Sequence, residues 1–118
     1  FLLQRCGFAA AFDHRSVDID EALQTHCPRG IDLYFDNVGG RTLEAALRHA
    51  NVAARIAVCG MISAYNTVDD PGIKGLQTVL AKRLAMTGFR YAQCDLYSAP
   101  SSIHLVSVAT CSTDSALL

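Results

Sequence analysis

Apolar positions recur along this chain with two different periods, and the switches between them outline its elements. Residues 2–6 read as the tail of a helix stopped by Gly7, and Ala9 to Phe12 as a short apolar strand. Asp18 followed by Glu21 gives a capping-box-like start, after which Ile19, Ala22, Leu23 and His26 recur at helical spacing until Pro28 and Gly30. Ile31 to Phe35 is rich in strand formers and runs into Asp36-Asn37-Val38-Gly39-Gly40. A second helix carries Leu43, Ala46, Leu47 and Ala50 on one face and Arg41, Glu44 and Arg48 on the other. Residues 55–59 form a near-continuous apolar strand of the kind buried on both faces. After a loop from Gly60 to Gly72, Ile73, Leu76, Val79, Leu80 and Leu84 mark a third amphipathic helix, with Lys74, Lys82 and Arg83 outside. Residues 85–91 read as a last strand, weakened by Gly88. Strands alternating with helices predict an α/β fold with a parallel sheet and crossover helices.

Composition narrows the function classes. The 118 residues are 51% hydrophobic and 18% charged, which excludes a disordered chain. Ten Lys and Arg oppose eleven Asp and Glu, so no basic footprint points to nucleic acid or an anionic membrane. The longest uncharged apolar stretch, Ile56 to Ile62, is far short of the ~20 residues that span a bilayer. A chain opening Phe1-Leu2-Leu3-Gln4, with no Met before Met61, reads as a fragment of something longer. All the Lys and Arg lie before Tyr91, and the Ser-rich stretch 92–118 carries only Asp95 and Asp114 as charges. The expected division is therefore 1–91 and an atypical segment 92–118. Cys6, Cys27, Cys59, Cys94 and Cys111 have no metal-ligand spacing and read as reduced, mostly buried thiols of a cytoplasmic protein.

In parallel α/β sheets ligands bind beyond the carboxyl ends of the strands. Two turns occupy such places. Asn37-Val38-Gly39-Gly40 sets an amide and two glycines before a helix, where backbone can approach a ligand and free N–H groups point outward. Cys59 to Asn66 offers Ser63, Tyr65 and Asn66 on a loop longer than a connector needs. An ordinary βα turn and a solvent loop explain the same residues on spacing alone, and no G-x-G-x-x-G fingerprint is present. His49 reads as solvated, His26 as a partly packed helix-end residue, and Lys82-Arg83 as a solvated helix face.

The strings Tyr34-Phe35-Asp36-Asn37-Val38-Gly39-Gly40 and Cys59-Gly60-Met61-Ile62-Ser63-Ala64-Tyr65-Asn66 resemble the zinc-independent medium-chain dehydrogenase/reductases. Within them they resemble the prostaglandin reductase, or leukotriene B4 12-hydroxydehydrogenase and NADP-dependent alkenal reductase, branch. Gly7-Phe8 through Asp13-His14 and Arg83 through Phe89 match as well, so the similarity covers roughly residues 1–91.

The resemblance implies a partial NADP-binding Rossmann-type sheet holding strands 3 to 6 of the order 3-2-1-4-5-6, with strands 1 and 2 missing. Residues 9–12 would be strand 3, and 31–36, 55–59 and 86–91 strands 4, 5 and 6. Strand 4 would then present a bare apolar edge. It also implies NADP(H)-dependent reduction of the C=C bond of α,β-unsaturated ketones and aldehydes. Asn37 and Cys59, Gly60, Met61, Ile62, Ser63, Ala64 and Tyr65 would contact the cofactor. Tyr65 would also meet the reacting carbonyl, as the candidate catalytic residue. Phe89, Arg90 and Tyr91 align with a further cofactor-contacting strand end. His14 falls where the family often has Tyr near the 2′-phosphate, and an imidazole can donate there. The family's glycine-rich phosphate loop would lie upstream of Phe1. No metal is implied, and the partners would be an enone or enal substrate and a second copy, paired through residues 86–91. Two other readings stay open: a non-catalytic truncated product or small interaction module, and a quinone reductase-like member of the same superfamily.

Overall fold

The structure, a computed structural model, describes residues 2–5, 8–13, 16–65, 68, 72–88, 108–111 and 115–117. After a short helix α1 (Leu2–Arg5) come α2 (Ile19–His26), β1 (Ile31–Asp36), α3 (Gly40–His49), β2 (Ala50–Val58), α4 (Gln77–Ala81), β3 (Ala85–Gly88), β4 (Val108–Cys111) and β5 (Ser115–Leu117). One sheet has the order β3-β2-β1-β4-β5. β1 pairs with β2, and β2 with β3, in parallel, as the alternation predicts.

The edges differ from expectation. Ala9 to Phe12 forms no strand; Ala10 and Phe12 instead pack half-buried against the core. A strand persists only where a neighbour satisfies its N–H and C=O groups, and the seat beside β1 is filled by another segment. β4 pairs antiparallel with β1, setting Leu33 against Thr110 and Phe35 against Val108, and β5 pairs antiparallel with β4. The edge expected to be bare is therefore covered, by strands from the Ser-rich stretch.

The α3 helix forms the centre of the core. Leu43, Ala46 and Leu47 are buried as the spacing predicts, and Ala45 is buried too, because α3 contacts α2 and α4 as well as β1. Ile31, Tyr34 and Ile56 from the sheet, with Leu23 and Cys27 from the α2 region, complete the packing. α2 starts as expected: the Asp18 side chain accepts the Glu21 N–H at 3.0 Å. The opposite sheet face is open among the described residues. Arg55, Ala85 and Thr87 are exposed along it, with Leu33 at 38%, so β2 is not covered on both sides.

The third helix is shorter than its apolar stripe. Gly75 at φ +83° precedes it and Arg83 at φ +53° follows it, so only 77–81 stays helical. Ile73 and Val79 reach the core, whereas Leu76 and Leu80 are exposed. Lys82 is no solvated residue: its Nζ donates to the carbonyls of Arg48 (3.0 Å) and Ala50 (2.6 Å), satisfying acceptors that the end of α3 leaves open.

His49 also departs from the solvated reading. It is half-buried, its Nε2 3.1 Å from Asp20 Oδ1, while Arg48 reaches both oxygens of the same carboxyl group at 2.9 and 2.5 Å. Asp20 thus pins α2 to α3. The Arg48 hydrogen bond holds its pKa below the ordinary 3.8, aided by the charge of Arg48 and by His49, against a smaller opposing effect of burial. A depressed carboxyl pKa stabilises the fold above the unfolded value, and that contribution is lost as pH falls through the lowered native one. Because Asp20 is partly exposed, solvent screening keeps the gain small. Asp20→Asn is expected to cost less than ~1 kcal/mol near neutral pH, with the difference closing in acid below the ordinary carboxyl range. Urea melts of both proteins across that range check it; a gap that widens in acid would contradict the assignment.

Candidate functional site

At the carboxyl ends of β1 and β2 the two turns singled out by sequence are stitched together. The main-chain oxygen of Asp36 accepts the N–H groups of Cys59 (2.8 Å) and Gly60 (3.1 Å). That of Asn37 accepts Ile62 N–H at 3.3 Å, and that of Val38 accepts Ser63 N–H at 3.0 Å. Three successive carbonyls of the first turn thus hold four amides of the second. Cys59 has left the strand, which ends at Val58, and its amide begins this seam.

The glycines serve the seam. Gly39 has φ +70° and ψ −155°, a combination essentially confined to glycine, and a Cβ there would lie 3.2 Å from Met61 Cβ. A Cβ on Gly40 would lie 2.8 Å from Ser63 Oγ. The space expected to admit a ligand's approach to Gly39 and Gly40 is filled by Met61 and Ser63. The surface exposed at this end of the two strands is therefore that of the second turn.

That second turn is two overlapping reverse turns, Ala64 N–H to Met61 O at 2.9 Å and Tyr65 N–H to Ile62 O at 3.4 Å. Ile62, Ser63 and Tyr65 are exposed; Cys59, Gly60, Met61 and Ala64 are half-buried. Tyr65 is 67% exposed, but its hydroxyl is engaged, accepting the Met61 N–H at 3.2 Å. Asn37 is only 9% exposed at the base of the seam. The structure thus brings together Asn37 and Cys59 to Tyr65. His14, Phe89, Arg90, Tyr91 and Asn66 lie outside the described residues.

Sequence reading passed over Asp36. Its side chain is fully buried, and Oδ1 accepts from Tyr34 hydroxyl (3.2 Å), Val38 N–H (3.2 Å) and Gly39 N–H (3.0 Å). The available signal was an Asp opening a turn before two glycines, where its side chain can bond backbone two and three residues on. A cleft of about 570 Å³, lined in part by Glu21, Arg29, His49 and Asn51, sits by the amino ends of the strands. That is the wrong end for a ligand of a parallel sheet.

The chain matches known proteins in sequence and in fold. The zinc-binding dehydrogenase family model matches residues 2–107. The chain belongs to that family. It is 45% identical over 89 residues to (+)-pulegone reductase of Mentha piperita, covering 75% of this chain and 26% of that protein. Prostaglandin reductase 1 of Mus musculus is 42% identical over 89 residues, covering 74% and 27%. The crystal structure of CurA from Vibrio vulnificus in complex with NADPH superposes with a TM-score of 0.68 at 38% identity, over 75% of this chain and 28% of that one. The resemblance to the prostaglandin and alkenal reductase branch is borne out. The chain spans about a quarter of the length of the relatives it matches. Among the described residues no group of three or more His, Cys, Asp or Glu side chains is placed to hold a metal ion, and no helix is long and apolar enough to cross a membrane.

Gly39→Ala is expected to destabilise the chain by ~1–3 kcal/mol. Met61→Ala removes only the Cγ side of that contact, keeping the Met61 Cβ at 3.2 Å and the backbone strain, so the double variant should recover only a small part of the loss. Thermal melts check this; full recovery would place the whole cost in the contact.

Proposed function

We propose that this chain forms the nicotinamide-facing part of the cofactor site in an NADPH-dependent reductase of the C=C bond of α,β-unsaturated ketones and aldehydes. The observation that supports it is the seam, which fixes an exposed, uncharged surface at the strand ends, as a nicotinamide and its ribose require. Neither Asp36 to Gly40 nor Cys59 to Tyr65 contains Lys or Arg, so this surface suits amide and hydroxyl groups rather than phosphates. Ile62 offers apolar area, Ser63 a hydroxyl, and Tyr65 both. When bound, NADPH supplies a hydride for the substrate's β-carbon.

The protein's part is placement and polarity. As the β-carbon gains a hydride, negative charge develops on the carbonyl oxygen, and donors aimed there lower the barrier. A phenol that accepts from Met61 N–H keeps its own proton to donate, and the accepted bond polarises it further. Tyr65 is the group we assign to that oxygen. Asn37, at the base of the seam, would hold the cofactor side.

The family's NADP(H) use and its substrates come to this chain by that reading, and so does assembly. β3 ends the sheet, so its outer edge offers N–H and C=O groups to a second copy in a homodimer. Met86 packs half-buried on the core, leaving the exposed Thr87 to face outward.

In the full-length reductase, Tyr65→Phe is expected to lower turnover ~100- to 1,000-fold, or ~2.7–4 kcal/mol, with NADPH affinity little changed. Loss of enone absorbance and fluorescence titration of NADPH measure the two; an unchanged rate with normal affinity would leave Tyr65 a loop residue. Thr87→Pro, which removes one backbone donor from β3, is expected to convert the dimer to monomer in sedimentation. A dimer of unchanged size and stability would put the interface elsewhere.

A further inference from the structure

We infer that Asp36 is the positioning residue of this site, acting through the two turns rather than on a substrate. Its side chain and its main chain divide the task. The fully buried carboxyl group fixes the first turn, with Oδ1 taking the Val38 and Gly39 N–H groups and the Tyr34 hydroxyl. Its own carbonyl takes the Cys59 and Gly60 N–H groups of the second turn.

The geometry makes the carboxyl group hard to replace. Gly39 is the N-cap of α3 and has no side chain to satisfy the helix's first amides. Asp36 supplies the missing acceptor from three residues upstream, at Gly39 N–H. By holding the Val38 and Gly39 amides, it also orients the peptide planes whose oxygens, on Asn37 and Val38, face Ile62 and Ser63. The path from the carboxyl group to the exposed surface is short: the first turn, the seam, then Met61 N–H, which holds the Tyr65 hydroxyl. A buried carboxyl group is costly unless hydrogen-bonded, and here two of its bonds shape the turn while the third ties it to the core residue Tyr34. The role in cofactor binding rests on the reductase reading; the hold on the turns does not.

The test uses the full-length protein with Asp36→Ala, Asp36→Asn and Tyr34→Phe. Amide exchange at Cys59, Gly60, Ile62 and Ser63 is read against Leu43 to Leu47 in α3, and NADPH affinity is read by fluorescence. Asp36→Ala is expected to speed exchange in the seam about tenfold or more, with α3 within about threefold, and to weaken NADPH binding about tenfold. Asp36→Asn keeps an accepting oxygen and should restore most of both. Tyr34→Phe removes one bond to Asp36 but leaves the turn, so it should lower the melting temperature while seam exchange and affinity hold. If Asp36→Ala does not fold, Asp36→Ser, whose oxygen reaches one bond less far, should show the same ordering. Unchanged seam exchange in the Ala or Ser variant, no recovery with Asn, or uniform acceleration across α3 and seam would overturn the inference. Altered seam exchange in a protein whose wild type binds no NADPH would support the hold on the turns and sink the reductase reading instead.

Discussion

The hydrogen bonds gathered at Asp36 join the scaffold of this protein to its surface chemistry. β1 ends there, and a strand end must dispose of its last backbone groups before the helix can begin. The Asp36 carboxyl group takes the amides of the first turn, and its carbonyl takes those of the second. Everything exposed at this end of the sheet, from Ile62 to Tyr65, hangs from that arrangement. Glycine at 39 and 40 follows as a consequence, because Met61 and Ser63 press close enough that a Cβ would collide or crowd.

The other end of the sheet is held by different means. Asp20 ties α2 to Arg48 and His49 at the end of α3, and Lys82 closes the carbonyls of Arg48 and Ala50. Lys82 O in turn takes Ala53 N–H at 2.8 Å, where β2 breaks register with β1 and Ala53 turns to φ +64°. These groups lock helices to strands around Leu47 and Ile56, so the βα units stay aligned and the two turns at the carboxyl ends of the strands meet. Charged residues at one end thus support an uncharged surface at the other.

The order of elements and their parallel pairing were legible because each rests on local patterning. Ile31 to Asp36, the face of α3 and the Asp18 cap all carry their own periodicity or chemistry. The branch of the family was legible for a different reason: two long strings of residues, each spanning a strand end and its turn, are distinctive as strings. Less legible were lengths and edges. The stripe from Ile73 to Leu84 looked like one helix, but backbone reversals at Gly75 and Arg83 cut it to a single turn and a half. Residues 9–12 had the composition of a strand and no neighbour to pair with.

By itself the sequence determined the alternation of strands and helices, the core face of α3, the two turns at the ligand end and the likeness of both to NADP-dependent reductases, since all of these are written in residues close together along the chain. Only the tertiary structure decided which groups within those turns matter and why. Asp36 bonds amides near and far, Tyr65 folds back onto Met61, and Lys82 and His49, which read as solvated, find acceptors some thirty residues away. It also decided that β4 pairs with β1. Such bonds form between segments that meet only once the core has packed, and a periodic pattern carries no record of partners so distant in sequence.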